Sequence, residues 1–137
     1  MNQYKSYIVP VSIKGIVFDE NKIWLRKNER GEWELPGGKL DEGEQPEETV
    51  IREMKEELGF NVTVKSLVQA YLYRITKSSD ESEGVLVVTY LCNLIKKSGT
   101  FELQGEAGNA EFKSFTPEEI VSLKMPEFYK RAIEKVK

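Results

Sequence analysis

Apolar and polar residues alternate from Tyr7 to Phe18 in a run rich in Ile and Val, which predicts one long strand. Pro10 lies inside that run and predicts an edge position or a bulge, because proline offers no ladder donor. Asp19-Glu20-Asn21 reads as a turn, and Lys22 to Lys27 returns as the second arm of a hairpin. Asn28 to Gly31 is a polar loop, and Trp33-Glu34-Leu35 is a short strand-like piece ahead of a glycine pair. Further on, Asn61 to Ile75 is β-rich and Lys77 to Gly84 is a polar loop. Val85 to Ile95 is almost continuously apolar, which predicts a central buried strand. Lys96 to Gly108 reads as a second loop and Glu111 to Phe115 as a short strand. Thr116-Pro117 then caps a helix, and Pro126 opens a final amphipathic one with Phe128, Ile133 and Val136 on one side.

Between the two β-rich halves the period changes. Pro46 suits a first helical position with Gln45 before it, Glu47 and Glu48 suit the positive end of the dipole, and Gly59 suits a left-handed stop. Val50, Ile51, Met54 and Leu58 recur at helical spacing as the expected packing face. Glu53, Glu56 and Glu57 fall at i, i+3 and i+4, neighbours on the same side of the helix. Three like charges so close gain nothing by themselves, whereas a hard divalent cation would neutralise them together. Arg52 is placed to pair with and orient one of them, and Glu44, in the loop before the helix, can reach back to the cluster. Gly37 and Gly38 allow bare backbone to approach the same spot.

This stretch resembles the Nudix box, the loop–helix–loop of the Nudix (MutT-like) pyrophosphohydrolases. Gly38, Glu44, Arg52, Glu53, Met54, Glu56, Glu57, Gly59 and Phe60 fill the family pattern over residues 38–60 without a gap or substitution. At roughly 6% average usage per residue type, a chance match is on the order of 10⁻⁸ per window. Trp33-Glu34-Leu35-Pro36-Gly37-Gly38 is similar to the family's lead into the box, and Glu111 to Ile120 to its closing strand and helix start.

The resemblance implies an α/β/α sandwich, a mixed sheet between helices, where pattern alone supports only one α+β or α/β domain over residues 1–137. It implies Mg²⁺ or Mn²⁺ as cofactor, with Glu53, Glu56 and Glu57 as ligands and a Gly37 or Gly38 carbonyl as an addition. Glu53 is also the candidate base, with Arg52 orienting and Glu44 supporting the site. A loop glutamate late in the chain supplies a further ligand or base in relatives; Glu106 is the choice here and Glu111 the reserve.

Composition narrows the partners. A net charge of −3 argues against generic nucleic-acid or anionic-membrane binding, which needs a basic surface. With no histidine, histidine triads and histidine zinc sites are excluded. Cys92, the single cysteine, reads as a small buried hydrophobe. No apolar run approaches a membrane span and no signal-peptide pattern is seen, so the cytoplasm is the expected location.

The implied activity is hydrolysis of a nucleoside diphosphate linked to another moiety, with a nucleoside triphosphate or nucleotide sugar favoured as the small-molecule partner. The alternative is a Nudix-fold sensor that binds nucleotide without turnover. The residues that mark some substrate groups downstream of the box are missing, since that region reads Ile75-Thr76-Lys77-Ser78. Trp24, Trp33 and Tyr71 could stack on a base but read better as packing residues. Monomer and homodimer both stay open, the latter through an exposed strand edge near Pro10.

Overall fold

The computed structural model describes residues 6–76, 82–98 and 110–137. Strand β1 (Val11–Asp19) turns at Glu20, which adopts φ 60°, into β2 (Lys22–Lys27). Short strands β3 (Trp33–Glu34) and β4 (Gly37–Lys39) lead into helix α1 (Pro46–Leu58). Two long strands, β5 (Phe60–Thr76) and β6 (Ser82–Lys97), form an antiparallel hairpin. The chain closes with β7 (Glu111–Phe115) and helices α2 (Pro117–Ile120) and α3 (Glu127–Glu134).

The sheet is mixed. β1 runs parallel to β6 from Val11↔Leu86 to Val17↔Cys92 and antiparallel to β4. β2 takes β3 and β7 as antiparallel partners and joins the rest through the end of β1. β6 is therefore a central strand with β1 on one side and β5 on the other, as its almost continuously apolar run predicts.

Alternation along β1 and β6 sorts two cores onto opposite faces. Ile13, Val17, Tyr90 and Cys92 join Val50, Met54 and Leu58 of α1. Ile16 and Val87 join Phe128, Tyr129, Ala132 and Ile133 of α3. Helices thus cover both faces, and the sandwich expected from the sequence is the fold. Gly15 lets α1 come close, since a Cβ there would lie 2.9 Å from Val50 Cγ2. Cys92 is buried as expected, and burial pushes its thiol up to about 12.

Several boundaries differ from expectation. β1 begins at Val11, after Pro10, so proline costs no ladder bond; its carbonyl instead accepts from Leu86 N at 3.0 Å. β1 is an interior strand, and the strand order ends at β3 and β5. On α1, Ile51 is 41% exposed, while Thr49 and Glu57 are buried beside Val50, Met54 and Leu58. A 3.6-residue repeat places positions 50, 54, 57 and 58 on one stripe, and chemistry of the side chain does not alter that geometry. The expected loop over residues 77–84 and the one over 96–108 lie partly outside the described residues, with β6 extending to Ser82 and Lys97.

Candidate active site

Two devices hold the start of α1. The amide of Gln45 donates to Glu48 Oε1 at 2.8 Å, and Pro46 occupies the first turn where no N–H is needed. At the other end Gly59 adopts φ 70° and donates to Lys55 O at 3.0 Å. The helix is pinned at both ends and along its buried stripe, which fixes where its carboxylates stand.

Arg52 is the hub. Its Nε and Nη2 donate to the two oxygens of Glu44 at 2.8 and 3.1 Å, a bidentate pair. Nη1 donates to Glu53 Oε1 at 3.0 Å and to Glu56 Oε2 at 3.1 Å, and Nη2 lies 3.1 Å from Asp41 Oδ2. Glu44 also accepts from Thr49 Oγ1 at 2.9 Å. Those bonds, led by the one from Arg52, hold its carboxyl down at about 2.

Glu53 and Glu57 meet the glycine loop directly. A Cβ on Gly38 would stand 2.5 Å from Glu53 Oε1, so glycine is what lets that carboxylate lie against the backbone. The amide of Gly37 donates to Glu57 Oε1 at 2.7 Å. Gly37 itself has φ 147°, and a Cβ would strike Ile13 O.

Burial raises the carboxyl of Glu53, opposed by Arg52, with Glu56 adding a smaller upward push. Glu57 is only 4% exposed, and burial lifts it to about 7 against the pull of Lys14 and the Gly37 amide. Repulsion between the neighbouring glutamates is a minor cause for both. Desolvation leads because Glu57 belongs to the buried stripe and does not stand on a separate face.

Among the described residues no three acidic side chains converge as a ready metal cluster. Arg52 draws Glu53 and Glu56 together, while Glu57 turns to Gly37 and to Arg26, whose Nε is 3.6 Å from Glu57 Oε2. Glu106 lies outside the described residues. Glu111 is exposed at the start of β7, opposite Lys27 of β2.

Sequence reasoning missed a second charged layer. Lys14, Arg26 and Glu34 are largely buried next to Glu57: Arg26 Nη1 donates to Glu34 Oε1 at 3.0 Å, and Lys14 Nζ lies 3.8 Å from the same oxygen. The available signal was a cation inside each apolar strand, at Ser12-Ile13-Lys14-Gly15-Ile16 and Trp24-Leu25-Arg26. Trp24 and Trp33 are packing residues, edge-on to Phe60 and Phe115, and Tyr71 stacks on Phe128 at 4.7 Å.

Comparison with known proteins supplies the family. The NUDIX domain family model matches residues 9–136. An ADP-ribose pyrophosphatase of Methanocaldococcus jannaschii is 36% identical over 117 residues, 82% of this chain and 66% of that protein. A MutT-like protein of Streptomyces ambofaciens is 35% identical over 121 residues, 87% of this chain and 71% of that protein. The chain therefore spans about two thirds of the length of these relatives. Among solved structures, a NUDIX hydrolase from Nitrosomonas europaea superposes with a TM-score of 0.75 at 20% identity, covering 93% of this chain and 88% of that one. A chain that matches the family from residue 9 to residue 136, and that folds the box against its own glycine loop in this way, belongs to the Nudix hydrolase family.

Proposed function

We propose that the protein hydrolyses a phosphoanhydride bond in a nucleoside diphosphate linked to another moiety, with a nucleotide sugar or nucleoside triphosphate as substrate. The observation that carries this reading is the pairing of Glu53 and Glu57 with Gly38 and Gly37, two carboxylates seated on bare backbone at the start of the box. The ADP-ribose pyrophosphatase named above supports the nucleotide-sugar class.

The donor set suits a hard cation: the glutamates and backbone carbonyls of this loop and helix offer oxygen alone. Glu53, Glu56 and Glu57, with the Gly38 carbonyl, would hold Mg²⁺ or Mn²⁺. Such an ion would supply Lewis acidity and neutralise the charge of the diphosphate.

The chain's own residues prepare the site. Arg52 holds Glu53 and Glu56 side by side and is itself anchored by Glu44. Glu53 keeps Oε2 clear of Arg52, and its burial-raised carboxyl is suited to take a proton from the attacking water there. Glu57 is oriented by the Gly37 amide. Catalysis then comes chiefly from position and charge, as phosphoryl chemistry demands.

The test is turnover of ADP-ribose, UDP-glucose, dGTP, 8-oxo-dGTP and diadenosine polyphosphates with Mg²⁺ or Mn²⁺ at neutral to alkaline pH. Metal-dependent hydrolysis of at least one is expected. Tight binding across the panel with no product would instead mark a nucleotide sensor.

A further inference from the structure

A cavity of about 190 Å³ opens on the α3 face of the sheet. One wall is aromatic: Tyr73 lies 5.1 Å from the ring of Phe128, which packs 4.2 Å from that of Tyr129. The other wall carries Lys14, Arg30 and Glu34. Lys14 is unusual among them. It is 7% exposed, it lines the cavity, and its ammonium has no hydrogen bond within the described residues. Its nearest carboxylate oxygen, on Glu34, is 3.8 Å away and already accepts from Arg26 at 3.0 Å.

Its three N–H donors make no hydrogen bond to the described residues, and with only an ion pair at 3.8 Å they are left for a ligand in the cavity. The polar character continues sideways. Thr89, the register partner of Lys14 on β6, is fully buried with a hydroxyl that lacks a partner among the described residues. On the other side Lys14 is the register partner of Gly37, whose amide holds Glu57. Its charge acts on both Glu53 and Glu57, so the ammonium stands within electrostatic reach of the box carboxylates while facing the cavity.

We propose that Lys14 is a substrate-binding residue that donates to a non-bridging oxygen of the phosphate remaining on the nucleoside half of the substrate. This rests on the hydrolase reading above. The chemistry fits: a compact ammonium with three donors binds phosphate as a point charge, and a charge-assisted bond is strongest where water is scarce. A monophosphate product keeps this contact after cleavage, so it is measurable without any divalent cation.

The experiment titrates AMP, GMP, CMP and UMP, the four matching nucleosides, and inorganic phosphate into wild type, Lys14→Met and Lys14→Arg in EDTA. Wild type should bind at least one monophosphate tenfold or more tightly than its nucleoside and than inorganic phosphate. Lys14→Met should lose most of that preference while nucleoside binding stays, and Lys14→Arg should recover part of it. The melting temperature of Lys14→Met should fall, because Glu34 and Glu57 lose a compensating charge, whereas Lys14→Arg keeps that charge and should melt nearer to wild type. In turnover with Mg²⁺, Lys14→Met should raise KM by more than it lowers kcat. A parallel measurement on wild type needs no variant to fold: the best-binding monophosphate should protect Lys14 from acetylation by an N-hydroxysuccinimide ester, read by peptide mass.

Unchanged monophosphate preference in Lys14→Met, or Lys14 acetylated equally with and without the monophosphate, overturns the assignment. Equal binding of inorganic phosphate and monophosphate overturns it too, since the lysine would then be only an anion site. If wild type turns over a substrate yet fails these tests, the lysine assignment alone falls. If it neither hydrolyses nor binds any of these compounds, the hydrolase reading falls with it.

Discussion

The amide of Gly37 and the carboxylate of Glu57, twenty positions apart in sequence, meet at 2.7 Å in a buried hydrogen bond. That contact locks the glycine loop to the last turn of α1. It also buries a glutamate that nothing fully neutralises, because Arg26 Nε stays 3.6 Å from its other oxygen. The pairing therefore trades some stability for position, a pattern common at functional sites.

The first consequence is a pH-dependent stability in metal-free protein. Glu57 has its carboxyl raised from 4.5 to about 7, so between those values the folded chain binds more protons than the unfolded one. Stability should therefore fall as pH rises from about 4.5 to 7 and level off above. The size is bounded by about 3 kcal/mol, since each tenfold change in proton affinity is worth about 1.4 kcal/mol. Urea titrations at several pH values in EDTA will show it. Glu57→Gln should flatten the dependence over that window, and a wild-type curve that rises through it would contradict the picture.

Activity should respond in the opposite sense. Gln at 56 or 57 keeps size and helix propensity but removes a charge. Each change should lower kcat by roughly 10²-fold or more, by analogy with losing one transition-state electrostatic contact. Steady-state rates with Mg²⁺ and Mn²⁺ measure this. Unchanged turnover in Glu57→Gln would mean that the metal is held elsewhere.

Arg52 makes a different kind of prediction, because it holds four carboxylates without being buried. Lys at this position keeps the charge but cannot grip both oxygens of Glu44 while reaching Glu53 and Glu56. Screening of a partly exposed network limits the stability loss to about 1–2 kcal/mol. The rate should suffer more, roughly 10²-fold, since misplaced carboxylates are penalised by position. A melting curve and a kcat measured on the same preparation separate the two effects. Equal proportional loss in both would reduce Arg52 to a structural residue.

Much of this was legible in the sequence. Gln45, Pro46 and Gly59 marked the ends of α1, and the almost continuously apolar run of Val85 to Ile95 marked a central strand; both hold because local signals and burial agree there. The box residues were recognisable because they fill the Nudix pattern without a gap. Three features were not. Pro10 was read as lying inside a strand, because the alternation continued past it, whereas β1 starts just after the proline. The packing face of α1 was assigned to Val50, Ile51, Met54 and Leu58 by apolarity, whereas the helical period buries Glu57 there and leaves Ile51 exposed. Lys14 and Arg26 were overlooked, since a single cation in an apolar strand reads as a boundary residue until the register puts it beside Gly37 and Thr89.

Gly37 and Gly38 are adjacent glycines whose replacement should fail for opposite reasons. At Gly37 an added Cβ would strike Ile13 O, a backbone atom of an interior strand, and φ is 147°, which L side chains rarely adopt. Nothing there can yield cheaply, so Gly37→Ala should cost at least about 3 kcal/mol and reduce the soluble yield. At Gly38 φ is ordinary, and the three atoms nearest the Cβ would all belong to the carboxylate of Glu53, the far end of a flexible side chain. Glu53 can swing aside, so Gly38→Ala should fold within about 1 kcal/mol of wild type. Its displaced carboxylate should nevertheless cut kcat by roughly 10²-fold, and Mg²⁺ should raise the melting temperature less than it does in wild type. Calorimetry of both variants with and without Mg²⁺, set beside their rates, decides the matter. A Gly38→Ala protein that folds and also turns over normally would show that Glu53 need not lie against the loop, and would remove it from the proposed site.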